Sequence, residues 1–348
     1  LYFEADGQRF NLRTPVRVIS KEDLQVLPGQ QISADATVIK TKEARVAALL
    51  IVNEEISILS QPSAWASGLG SIRQGLRDNS GSGDAGALIP GMVLGDTSKQ
   101  SAEFKEAMKR SGLTHLVAVS GANFAIVSTF VLWCMQFVIK RKNLRVIATA
   151  IALMCFIALV RPSPSVLRAA AMAAVLLTAQ LGKRGADSLP ALGFAICAVV
   201  LGDPWQSRDA GFALSVLATA GLLLLAPRIQ DKLPTHKNLA SALAPPIAAM
   251  VFCAPILVSL SGYLAPMSVV ANLFAAPVVA PITVLGFIAA LLSPIAPWLT
   301  QIIIAVIRVP AGFITSIAHW IAGFPVLTIY KGMIGFLIVA LIAGCLTL

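Results

Sequence analysis

From residue 114 to the end, one apolar run follows another. A run of about 20 apolar residues settles only in lipid or in a deeply buried core. The runs lie near 114–139, 144–160, 164–182, 189–202, 208–227, 239–261, 267–292, 302–323 and 333–348. The fourth and the last are short for a full crossing, so each reads as a span or as a kinked, partly buried segment. Composition closes the soluble alternative. Of 348 residues, 57% are hydrophobic and 13% charged, where an ordinary soluble domain carries roughly 25% charge. The chain starts at Leu1 and stops within an apolar run at Leu348, which reads as a piece of a longer protein.

Charge is unevenly spread. Residues 1–60 carry seven Lys/Arg against eight Asp/Glu, residues 61–118 six against five, and residues 119–348 fourteen against four. The basic excess therefore belongs to the apolar part. It suits cytoplasmic loops of any membrane protein and equally a path for a polyanion. Lys140, Arg141, Lys142 and Arg145 follow the first run, Lys183 and Arg184 the third, and Arg228, Lys232 and Lys237 the fifth. The alternate loops are short and poor in cations. By the positive-inside rule those basic loops face the cytoplasm, and residues 1–112 lie on the other side.

Residues 3–60 have a different grain. Short alternating stretches at 10–12, 16–19, 31–34, 36–39 and 56–59 are separated by turn signals such as Ala5-Asp6-Gly7-Gln8 and Leu27-Pro28-Gly29-Gln30. Spaced strands of this kind predict a small antiparallel barrel or sandwich, and five of them match an oligonucleotide/oligosaccharide-binding (OB) barrel or a generic β module. Residues 62–78 predict an amphipathic helix bearing Trp65, Leu69, Ile72 and Leu76 on one side. A Gly/Ser break follows at 79–84. A second polar-faced helix near 101–111 leads towards the first apolar run. The whole is a mainly α-helical polytopic membrane bundle of about eight to nine segments over 113–348. A small N-terminal β-barrel-like domain occupies 1–60, and helical connectors occupy 61–112.

Polar groups inside apolar runs need an account, since an ionisable group at the centre of a membrane helix costs on the order of 3 kcal/mol. His115, Ser120 and Asn123 fall within about 140° of one another on a helical wheel. They form either the polar wall of a conduit or interhelical hydrogen bonds beside the small residues Gly121 and Ala125. Ser163 and Pro164 suit a helix start, which sets Arg168 just over one turn inside, with Arg161 before it. Arg168 either snorkels to headgroups or faces phosphate, whose oxygens fit a guanidinium fork. Arg208 and Asp209 open the fifth run. A carboxylate there repels phosphate, so Asp209 reads as a structural partner of Arg168 or Arg208. Pro277 and Pro281 predict a kinked or interrupted helix, with Asn272 just before it lining a cavity. The five cysteines make no CxxC pair and the three histidines are scattered. Neither disulfides nor a metal site is expected, and no cofactor.

Several blocks together resemble the ComEC family of DNA-internalisation competence proteins. They are Ala87-Leu88-Ile89-Pro90-Gly91-Met92-Val93-Leu94-Gly95-Asp96 and Arg110-Ser111-Gly112-Leu113-Thr114-His115-Leu116-Val117-Ala118-Val119-Ser120-Gly121. Three more follow in order: Ser165-Val166-Leu167-Arg168-Ala169-Ala170, Asp209-Ala210-Gly211-Phe212-Ala213-Leu214-Ser215 and Asn272-Leu273-Phe274-Ala275-Ala276-Pro277. They cover most of residues 85–290. The resemblance implies a bacterial inner-membrane channel for single-stranded DNA in natural transformation, with an extracytoplasmic OB domain. It also implies a metallo-β-lactamase-like domain in many members, but the sequence holds no HxHxDH run. Many relatives have Leu-His after the Ser-Gly pair, where this chain has Ala122-Asn123. No Walker A motif is present, so an ATP-driven motor would be a separate cytoplasmic partner, alongside a DNA receptor. Two other classes compete. A small-solute permease would suit broken helices, although no inverted internal repeat is visible. An intramembrane serine protease would use Ser120 with His115 or His319, but Ala118 stands where the first glycine of GxSG belongs.

Overall fold

The computed structural model describes residues 2–5, 8–11, 15–20, 26–27, 29–41, 46–52, 56–117, 121–160, 164–181 and 187–347. They divide into two compact units, 1–71 and 72–348.

In the first unit, β1 (Tyr2–Ala5) and β2 (Gln8–Asn11) form an antiparallel hairpin. A mixed sheet joins β3 (Val16–Ser20), β5 (Ala36–Ile39) and β6 (Ala48–Val52), with β6 in the middle. β4 (Ile32–Ser33) pairs with β7 (Ser57–Ile58). The turn at 27–30 forms as its sequence predicts: Gln30 N donates to Leu27 O at 3.2 Å, and Gly29 takes a φ of +88° that only glycine adopts freely. Two features depart from the antiparallel expectation. β6 runs parallel to β3, which requires a long connection, and residues 21–47 supply it. Among the described residues, the strands do not close into a barrel. β6 reads Ala-Leu-Leu-Ile-Val, a continuous apolar run without alternation, as a central strand can.

The second unit is helical. Its boundary falls inside α1 (Ala64–Asn79), which is followed by α2 (Gly83–Leu94), α3 (Ala102–Arg110), α4 (Thr114–Val117), α5 (Gly121–Val138), α6 (Lys142–Val160), α7 (Pro164–Leu181) and α8 (Ser188–Gly202). A 3₁₀ turn over Pro204–Arg208 leads into α9 (Ala210–Leu224), α10 (Ala226–Lys232), α11 (Lys237–Ser261), α12 (Ser268–Leu292), α13 (Pro297–Ala322) and α14 (Met333–Thr347). Five helices, α5, α6, α11, α12 and α13, are long and apolar enough to cross a membrane; α9 and α10, bent by 41°, would together make a sixth. The apolar parts of α2, α7, α8 and α14 are shorter.

α6 shows why water is excluded as the solvent. Val146, Thr149, Leu153, Phe156 and Val160 are buried, while Leu144, Ile147, Ile151 and Met154 form an exposed stripe. A helix apolar on both faces needs protein on one and lipid on the other.

α12 and α13 form a helical hairpin, and α2 packs against both. The sequence gives α2 no helix of its own, yet every residue from Gly86 to Leu94 is buried. Val93 lies where a side chain on Gly286 of α12 would sit, so the two helices approach at contact distance. α3 packs on α13, with the Phe104 and His319 rings 6.1 Å apart. Ser101 caps α3 by accepting from Phe104 N at 3.1 Å. At the far end of the chain, β8 (Tyr263–Leu264) pairs antiparallel with β9 (Leu327–Thr328). Pro277 and Pro281 do not interrupt α12, which runs unbroken from 268 to 292. Contacts with α2, α5, α11 and α13 hold it, and packed neighbours let a membrane helix tolerate proline.

Candidate functional site

α7 begins at Pro164, whose missing N–H costs nothing at a helix start. One turn later comes Arg168, only 5% exposed. Its Nε donates to Ser215 Oγ on α9 at 2.9 Å, and its Nη1 lies 3.4 Å from Met172 Sδ. Nη2 faces the first residue of α5: a Cβ built on Gly121 would lie 2.6 Å from it. Among the described residues no carboxylate pairs with this guanidinium. Taking a cation out of water costs several kcal/mol unless a counter-charge compensates, and a hydroxyl and a thioether compensate little.

Asp209 does not supply that charge. Its Oδ1 caps α9, accepting from Phe212 N at 2.8 Å, and no ion pair forms with Arg168 or Arg208. The capping position takes the carboxylate because the first N–H groups of a helix lack partners. Arg208 is exposed, its guanidinium 6.0 Å from the centre of the Trp205 ring. Asn123 is buried and donates from Nδ2 to Met92 O of α2 at 3.1 Å. Asn272 turns back on its own helix, donating to Ser268 O at 2.8 Å. His115 Nδ1 donates to Gly112 O at 3.1 Å. Ser120 and Arg161 lie outside the described residues. The described start of α5 is thus the meeting point, with Arg168 at Gly121 and α2 at Asn123, whereas Asn272 and Arg208 make their own contacts with Ser268 and Trp205.

Three polar links escape the sequence reading. Arg77 donates through Nε and Nη2 to Asp96 Oδ2 at 2.9 and 2.5 Å, and Ser98 donates to Asp96 Oδ1 from its backbone N and its hydroxyl at 3.1 and 2.7 Å. Burial alone would push the Asp96 pKa up; the Ser98 hydrogen bonds and the Arg77 charge outweigh it and hold the carboxyl below its ordinary 3.8. Arg73 Nη1 donates to Leu159 O at 2.6 Å and Leu94 O at 3.4 Å, joining the C-terminal ends of α6 and α2, where a cation meets the negative end of a helix. His319 Nε2 lies 2.7 Å from Asp84 Oδ2. The Gly95-Asp96 pair within the first quoted block was the available signal. Ser215 likewise ends a quoted block.

The several lipid-length helices define a multi-pass membrane protein. Residues 92–348 match the Competence protein family over more than half of the chain, and the chain belongs to that family. It is also similar to ComE operon protein 3 of Bacillus subtilis (strain 168), 28% identical over 141 residues, 40% of this chain and 18% of that protein. The chain therefore aligns with under a fifth of that curated relative's length. No solved structure matches it.

Proposed function

We propose that the chain is the conduit that carries single-stranded DNA across the bacterial inner membrane during natural transformation. The carrying observation is the family match, which covers nearly all of the helical unit. Two features support it. The basic excess belongs to residues 119–348, as a polyanion path requires. Arg168, with no carboxylate partner among the described residues, is buried among α5, α7 and α9. Transport, with no chemistry on the strand, is the role assigned. The N-terminal unit stands outside the cytoplasm as an OB-like module that meets the strand. The near-neutral charge and few aromatics of residues 1–60 (Tyr2, Phe3, Phe10) suit a weak guide better than a tight binder. Movement is driven by a separate cytoplasmic ATP-driven motor, and a DNA receptor hands the strand over.

Deleting the gene should abolish uptake of labelled DNA into the cytoplasm while leaving a panel of amino acids, sugars and ions untouched. Loss of one solute with normal transformation would reassign the chain to the permease class.

A further inference from the structure

α13 presents three faces. Ile304, Ile307, Ala311 and Ile314 point into the protein and are buried. Trp298, Ile302, Val306, Val309, Phe313 and Trp320 are exposed and fall within about 80° of one another on a helical wheel. Gln301, Arg308 and His319, also exposed, form a polar edge between the two. A helix of 26 residues is long enough to cross a bilayer, but polar groups accompany this one from end to end. Ser293, just before it, donates from Oγ to Ile72 O at 3.3 Å. Arg308, near its middle, donates to Ser82 O at 3.2 Å. His319, in its last turn, lies 2.7 Å from Asp84 Oδ2. Residues 72–84 thus track the whole helix, and they include Arg73, Arg77, Asp78 and Asp84. α3, with Glu103, Lys105, Glu106 and Lys109 exposed, packs on α13 as well. A crossing would carry these charges through the hydrocarbon, where they are costly. The two ends agree. Arg73 ties the start of the tracking segment to Leu159 O, at the close of α6. Past its last turn α13 leads into β9, which pairs with β8 directly after α11. Loop charge expects the close of α6 and the close of α11 on the same, non-cytoplasmic side, so both ends of α13 stand at one surface.

We infer that α13 does not cross the membrane but lies along its extracytoplasmic surface, with the stripe from Trp298 to Trp320 sunk into phospholipid. The occupant of the stripe is the outer leaflet. Apolar faces of such helices sit about 5–10 Å into the boundary between headgroups and acyl chains, and tryptophans at the two ends suit that level. The polar edge remains in contact with the water-facing connector through Ser82 and Asp84. α13 thereby holds residues 72–84 and α3 flat against the membrane. The inference goes beyond transport and is independent of what the chain carries.

The test uses the full chain with its native cysteines replaced. Gln301→Cys and Phe324→Cys place single thiols at exposed positions near the two ends of α13. In intact spheroplasts both should react with a membrane-impermeant maleimide. Reaction of one in intact cells and of the other only after lysis would mean that the helix crosses, and would overturn the inference. Depth is read separately at Val309→Cys, in the middle of the stripe, labelled with a small fluorophore in vesicles of brominated phosphatidylcholine. Bromines high on the acyl chains should quench it more than bromines near the chain ends. The reverse order would put Val309 at the bilayer centre and restore a crossing. Quenching by neither lipid would remove the membrane from the stripe. If the unlabelled Val309→Cys protein then forms a disulfide between chains under mild oxidation, a second copy covers the stripe; if it does not, the stripe faces water. Either result overturns the inference. All three positions are exposed, so these substitutions leave the packed face of α13 intact.

Discussion

Asp96 lies two residues past the end of α2 and collects hydrogen bonds from Arg77 and from both donors of Ser98. Hydrogen bonds to a charged group contribute on the order of 2 kcal/mol when their partner would otherwise be stranded. Asp96→Asn should lower the thermal midpoint in detergent at neutral pH by about that free energy. The sign with pH follows from the depressed carboxyl. Its contribution is complete above the ordinary value of 3.8 and drains away as pH falls through the lower folded value. The gap between wild type and Asp96→Asn should hold from neutral pH down to about 4 and narrow below it. A gap that widened in acid would contradict the assigned direction. Arg168 and Asn123 were legible as buried polar residues because their runs are otherwise apolar. Their partners were not, because Ser215 and Met92 are distant in sequence and no helical wheel joins one helix to another. The Asp209–Arg168 pair failed for a local reason: the carboxylate caps its own helix.

At the level of elements, periodicity placed the long helices well and missed α2 and β6 for one reason. Both are apolar without a polar face, so no amphipathic signal marks them. α2 in addition carries Gly86, Pro90 and Gly91, residues that argue against a helix. Burial on all sides overrides propensity there. A side chain on Gly91 would press on Val117 and Gln100, so close packing needs the glycine that local preference penalises. The α2–α5 contact through Asn123 gives the second prediction. Asn123 is buried against Met92, and Asn123→Trp forces a large ring into filled space, at a cost of about 1–3 kcal/mol. The thermal midpoint in detergent should fall along with uptake. A stable protein with blocked uptake would instead make Asn123 part of an open wall.

For the whole molecule, the charge of alternate loops predicts an orientation that helix lengths do not. The positive-inside rule expects Lys140 to Arg145 and Arg228 to Lys237 in the cytoplasm, and the proposed topology then has the N-terminal unit outside. Ser33 in β4 is exposed, so Ser33→Cys should react with a membrane-impermeant maleimide in intact spheroplasts. Labelling only after lysis would invert the topology. The native cysteines need replacing first, since Cys155 and Cys197 are also exposed.

The β8–β9 ladder carries a consequence for how the protein is made. Gly262 O accepts from Ile329 N, and Ser259 O from Gly332 N, so the end of α11 is completed by residues that leave the ribosome only after the whole α12–α13 hairpin. Until then, the backbone at 259–264 is without its partner strand. Biogenesis of this half is therefore ordered by the chain itself: the hairpin inserts first, and the closing strand follows. A nascent chain halted before residue 327 should remain a substrate for quality-control proteolysis that one extended past 332 escapes.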